Sequence, residues 1–172
     1  ISPLRLINPD LSFRAHTIIP QGADFANGCA LFFRRDVWDK VGGFDEEMKL
    51  GYCEDSDWSF RARCAGYNFS VCPNTLKHLH QGTAKNVEGI REAEAKNLAR
   101  LKMKWTGKGV GETILVRRWA AIGDVLFVTP ALEALRKKKP LARIQLQCHP
   151  TIVPLFDGLR CVDIVSQHEA CA

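Results

Sequence analysis

TILVRRWAAIGDVLFVTPALEALRKKKPLARIQLQC, residues 113–148, carries three structural signals in a fixed order. Thr113–Val116 is a short β-branched and aliphatic run, which suits a strand. Ala120–Asp124 reads as a small-residue turn. Thr129 then offers an N-cap and Pro130 a first helical residue, so a helix is expected from there to Lys138. Arg143–Cys148 is a second strand, and Val162–Val165 has the composition of a third. Strand, helix and strand in that order predict a βαβ unit with parallel pairing, and hence an α/β fold.

Moving upstream, the pattern changes at 106–111, TGKGVG, a Gly-rich segment between two regular ones and the best linker in the chain. Its glycines precede the strand, so they are not a phosphate loop. Before it, Glu88–Trp105 has the apolar spacing of a long charged helix, with Ile90, Ala93, Asn97-Leu98 and Leu101 on one face. Tyr67–Cys72 and Thr75–His80 alternate as strands do. Ser56–Ala65 reads as a helix stopped by Gly66, and Arg35–Val41 as a short one stopped by Gly42-Gly43. Asn27–Phe33 is a short apolar run expected to be a buried strand, and 1–26 is expected to be irregular. No repeat of 20–50 residues is visible.

The 172 residues are 46% hydrophobic and 25% charged, an ordinary globular balance that excludes collagen-like and disordered classes. No apolar run reaches the roughly 18–20 residues of a spanning helix. A net charge of +5 suits anionic substrates but is too mild for a nucleic-acid footprint. The dense run Arg136–Lys139 reads as cations at a helix C-terminus, with a phosphate or membrane patch as the alternative. Seven cysteines with no CxxC pair argue against a metal knuckle or a disulfide framework and favour a reducing compartment. The opening ISPLRLINPD has neither an initiator Met nor signal-peptide regions, so the chain is expected to be a piece of something longer.

Two constellations carry chemistry. GYCEDSDWSFRARCAG, residues 51–66, sets Glu54, Asp55 and Asp57 at the mouth of a helix. A carboxylate there can remove a proton from an acceptor hydroxyl, and carboxylates with a nearby His can hold a hard cation. The same acids can instead serve the helix dipole, with Asp57 paired to Arg61 at i+4. In the second constellation, Gly123-Asp124 follows the first strand of the βαβ unit, at the edge where α/β folds place ligands. Asp124 is there as a base or as a helix cap. Trp38, Phe44 and Trp58 are core residues or stacking platforms.

The run NGCALFFRRDVWDKVGGFDEEMKLGYCEDSDWSFRARCAGYNFSVCP, residues 27–73, and HLHQGT, residues 78–83, resemble the C-terminal half of family 2 glycosyltransferases. The likeness is to the rhamnosyltransferase-like and galactosyltransferase C-terminal groups, of GT-A fold. It implies Asp55 as catalytic base and His80, or else His78, as the group that helps hold Mg²⁺ or Mn²⁺ on the donor diphosphate. By the same likeness Asn27, Gly28, Gly43, Asp45, Glu54 and Asp57 lie on the substrate side. The family's nucleotide-binding half, with its D-x-D motif, should precede residue 27; 1–26 holds no D-x-D.

Residues 113–165 in turn resemble the N-terminus of family 9, heptosyltransferase-like glycosyltransferases, of Rossmann-like GT-B fold. That likeness implies Asp124 as the acceptor base beside Gly123, with no metal. Together the two resemblances imply a GT-A tail over 1–105, a linker at 106–111 and a GT-B head over 112–172. The implied reaction moves a sugar from a nucleotide-sugar donor to a hydroxyl of a glycan or lipid-linked acceptor, in surface polysaccharide or lipopolysaccharide synthesis. The expected setting is the cytoplasm, with peripheral contact at the inner face of the membrane. The alternative is a non-catalytic binding or scaffold module, or a remnant of a larger gene.

Overall fold

Burial alternates along the first strand of the C-terminal sheet and most of the second. In the computed structural model, which describes residues 4–5, 9–12, 24–70, 87–119, 121–156 and 158–167, that sheet has three strands. They are β3 (Thr113–Arg117), β4 (Arg143–Cys148) and β5 (Ile164–Gln167). β4 is central and pairs parallel with both neighbours, Thr113 opposite Arg143 and Gln145 opposite Ile164. The chain crosses from β3 to β4 through helix α4, Ile122–Lys138. Val125 and Leu132 of α4 are buried against Ile144 and Leu146, and Ile152 and Phe156 close the cluster. The βαβ unit is therefore present, and the fold is α/β.

The N-terminal half has a different construction. β1 (Leu4–Arg5) pairs antiparallel with β2 (Phe25–Ala26), so part of the stretch expected to be irregular is paired. Helix α1 (Arg35–Val41) stops at Gly42, whose φ of 85° favours glycine and whose N–H reaches Trp38 O at 2.8 Å. Helix α2 (Glu54–Cys64) buries Trp58 and Ala62 against Val37 of α1. Helix α3 (Ile90–Trp105) turns Ala93, Asn97, Leu101 and Trp105 inward, one every four residues. Leu101 and Trp105 join Phe25, Phe60 and Leu11 in a core that also takes in Val110 and Leu141. That core reaches across the glycine-rich 106–111 segment into the C-terminal half.

Several expectations need correction. Asn27–Phe33 is not a strand. Asn27 Oδ1 accepts the Cys29 N–H at 3.1 Å, and Gly28 N–H donates to Asp55 at 2.8 Å. Two successive N–H groups are thus taken by side chains, and Gly28–Ala30 winds into a 3₁₀ turn. Thr129-Pro130 does not open a helix: α4 begins at Ile122 and carries Pro130 inside it. The apolar spacing Val125, Val128, Leu132, Leu135 runs through the proline, which lies on the exposed side where water can serve the carbonyl its ring leaves unbonded. The turn expected at Ala120–Asp124 is accordingly helical from Ile122. Residues 67–70 are not a strand, and the remaining strand expectations up to His80 lie outside the described residues. β5 lies two residues later than Val162–Val165. Among the described residues no helix is long and apolar enough to cross a membrane.

Candidate functional site

Helix α2 is entered through an unusual loop. Leu50, Gly51, Tyr52 and Cys53 all have positive φ, between 59° and 89°. For the three non-glycine residues this backbone costs of order 1–3 kcal/mol each and persists only where the surroundings impose it. Asn97 imposes it from α3. Its side chain is buried, and its Nδ2 lies 2.9 Å from Lys49 O, 2.8 Å from Gly51 O and 3.2 Å from Tyr52 O. Burial of Cys53 in the first core holds the loop from the other side and pushes its thiol pKa up to about 12, with nearby carboxylates adding to the effect.

This loop delivers three acids to the first turn of α2, and their environments diverge. Asp57 is fully buried. Its Oδ2 accepts Arg61 Nε at 2.9 Å, the i+4 pair expected from the sequence. Its Oδ1 accepts Trp105 Nε1 at 2.8 Å and meets Lys104 Nζ at 2.6 Å. Asp55 is partly exposed and, among the described residues, bonded to neutral donors. Oδ2 accepts Gly28 N–H, and Oδ1 accepts Ser56 N–H at 2.7 Å and Ser56 Oγ at 3.2 Å. Three accepted bonds leave a carboxylate with a free lone pair. Glu54 lies between these cases. Burial raises its pKa, and its Oε2 is buried with no hydrogen-bond partner among the described residues.

Asn27 and Gly28 come to this same place from 27 residues upstream. A Cβ on Gly28 would stand 3.2 Å from Asp55 Cβ, so a methyl there would push the carboxylate's stem back by a few tenths of an ångström. Gly43 is set differently. Its carbonyl accepts Arg61 NH2 at 2.6 Å, and a Cβ there would touch the Trp38 ring. Asp45 is tied to α3 by Arg100, at 2.9 and 3.1 Å, and by Lys104 at 3.0 Å. The Arg100 bond, with Lys104 and the Glu47 N–H, holds its carboxyl well below the usual range. Beside α2, Phe33, Trp38, Phe44 and Trp58 form an aromatic cluster with ring centroids 4.8–6.4 Å apart. Trp58 is buried and Phe44 partly exposed.

The second candidate lies at the C-terminal edge of the parallel sheet. Asp124 sits in the first turn of α4 and is about half exposed. Its Oδ2 reaches back to Arg118 NH2 at 2.5 Å. Gly123 beside it faces open space. Trp119 packs edge-on against His149 at 5.2 Å, flanking the same edge. The two candidates thus differ: Asp55 is held by backbone amides, Asp124 by a guanidinium.

His78 and His80 lie outside the described residues. Among the described residues no three His, Cys, Asp or Glu side chains converge as a metal group. Asn97, Arg100, Lys104 and Trp105, which fix the loop, Asp45 and Asp57, were not singled out for this role by the sequence. Asn97 and Trp105 lie on the buried stripe along α3, and Arg100 and Lys104 beside it. Comparison with protein-family profiles, curated proteins and solved structures finds no match to this chain.

Proposed function

We propose that this chain carries the acceptor side of a glycosyltransferase, with Asp55 as the base. One observation supports it above the others. Asn27-Gly28 and the Glu54–Asp57 segment, far apart in sequence, meet so that one carboxylate of the segment is internal and another is presented by backbone amides. In this reading Asp55 Oδ2 accepts the proton of an acceptor hydroxyl. The hydroxyl oxygen bonds to the anomeric carbon of a nucleotide-sugar, and the bond from that carbon to the diphosphate breaks. Its electron pair leaves on the nucleoside diphosphate, so one displacement inverts the anomeric centre without a covalent enzyme intermediate.

The bonds from Gly28 and Ser56 orient the base, and Asn97 holds the loop that precedes it. Asp45 and Gly43 border the aromatic cluster, where an acceptor sugar can stack. The reading keeps Mg²⁺ or Mn²⁺ on the donor diphosphate, with His80 its nominated ligand. No three described side chains form a cation site, and no step here runs through the metal. Asp124 is the corresponding metal-free base of a second, GT-B-type module over 112–172, with Gly123 leaving room beside it. The acceptor is a glycan or lipid-linked sugar of surface polysaccharide synthesis, at the cytoplasmic face of the membrane.

The test is release of nucleoside diphosphate by the gene product purified from its own cells. It is offered UDP-, GDP- and dTDP-sugars with and without a lipid-linked glycan acceptor. Release that requires acceptor, and a product whose anomeric configuration is inverted, is the expected outcome. Absence of acceptor-dependent release from every donor leaves the binding or scaffold reading in its place.

A further inference from the structure

A cavity of about 470 Å³ opens well apart from both carboxylates, where the ends of α2 and α4 meet the loop leading into β5. The volume is within the range of small-molecule sites. Among the described residues its charged lining is Arg63, Arg136, Lys137 and Arg160, with Glu133 as the acid. Two of these cations are built into the fold. The Arg63 side chain is only 4% exposed and lies 3.2 Å from Asp163. Arg136 shares that Asp163 and also donates to the carbonyls of Pro140 at 3.1 Å and Ala142 at 2.7 Å.

Arg136 thereby ties the end of α4 to the loop that leads into β4. Lys137 and Arg160 are both exposed at the rim, and neither makes an ion pair among the described residues. Crowding of like charge is already felt behind them. Burial lowers the Arg63 pKa, and Arg136 and Arg143 lower it further, against the opposing pull of Asp163 and Asp24. Pro140 and Leu159 add an apolar wall. A cleft with surplus cations at its rim, a buried guanidinium at its back and an apolar side suits an anion attached to a carbon skeleton.

We propose that this cleft binds a small organic phosphate, its phosphoryl group taken by Lys137 and Arg160 and its carbon part laid on Pro140 and Leu159. The inference is independent of glycosyl transfer at Asp55. Isothermal titration calorimetry at fixed ionic strength tests it, with phenyl phosphate as probe and inorganic phosphate and phenol as its two halves. Phenyl phosphate is expected to bind saturably and more tightly than either half. In K137Q/R160Q its affinity should fall at least tenfold, while K96Q, at an exposed lysine on α3, binds as the parent does. The proposal is overturned by absence of saturable binding, by unchanged affinity in the double variant, or by an equal loss in K96Q. Both altered side chains are exposed, and a far-UV circular dichroism spectrum matching the parent establishes that the double variant is folded.

Discussion

Asp55 and Asp57 stand two positions apart on one helix, which turns their side chains about 200° from each other. One therefore faces inward to Arg61, Lys104 and Trp105, and the other outward to Gly28. Asp57→Ala leaves a buried indole N–H without its acceptor and takes from Arg61 and Lys104 the buried carboxylate they share, and should lower stability by about 3 kcal/mol in urea unfolding. Glu54 titrates in the opposite sense to a paired acid. Its folded pKa is raised, so its most favourable contribution lies below the unfolded value of 4.5 and is lost as pH rises through the folded pKa. Glu54→Gln should consequently stabilise the protein at pH 7, with the gain vanishing below about pH 4; thermal melts across pH 3–8 check this. Asp45 behaves conversely: its depressed pKa gives stability that is complete above its unfolded value of 3.8 and declines in more acid solution. The Asp57–Arg61 pair was legible in the sequence because i,i+4 spacing is local. Trp105 and Lys104, nearly fifty residues away, gave no local sign of where they would land.

At the scale of elements, the clearest difference between sequence and structure is α4. A Thr-Pro pair is a good helix opening when judged by its neighbours. Here the apolar face on both sides of it is buried against β4, and packing outweighs the local signal. The helix carries the proline at a cost, so Pro130→Ala should raise stability by about 2 kcal/mol and leave the fold unchanged. A denaturation midpoint that stays put would mean that the helix is broken at 130. The 27–33 segment shows the reverse case, where Asn27 and Asp55 capture the N–H groups a strand would have needed. Asn97 is the element-scale device that holds the strained 50–53 loop. Asn97→Ala should destabilise by about 2 kcal/mol through loss of its buried hydrogen bonds. Amide exchange should quicken around 49–55 and remain slow in β4. Uniform acceleration throughout the chain would contradict a local role.

Across the whole molecule, buried ionic contacts tie the halves together. Asp24, next to β2, meets Arg143 of β4 at 2.7 Å, and Arg63 of α2 meets Asp163 at 3.2 Å. Val110 and Leu141 extend the first core in the same direction. Asp163→Ala leaves Arg63 and Arg136 without their shared carboxylate and should cost about 3 kcal/mol. Its urea transition, followed by tryptophan fluorescence and by circular dichroism, should shift equally for both probes, because the halves unfold together. The α/β class, the βαβ order and four helices were readable from periodicity. The joining of the halves was not, because it rests on single charged residues that resemble any solvated surface charge. The proposed base is one carboxylate, and its measurement is kcat of Asp55→Asn in acceptor-dependent nucleoside diphosphate release by the gene product from its own cells. A fall of about 10²–10⁴-fold with the donor KM nearly unchanged is expected. Turnover of Asp55→Asn at the parent rate would contradict it.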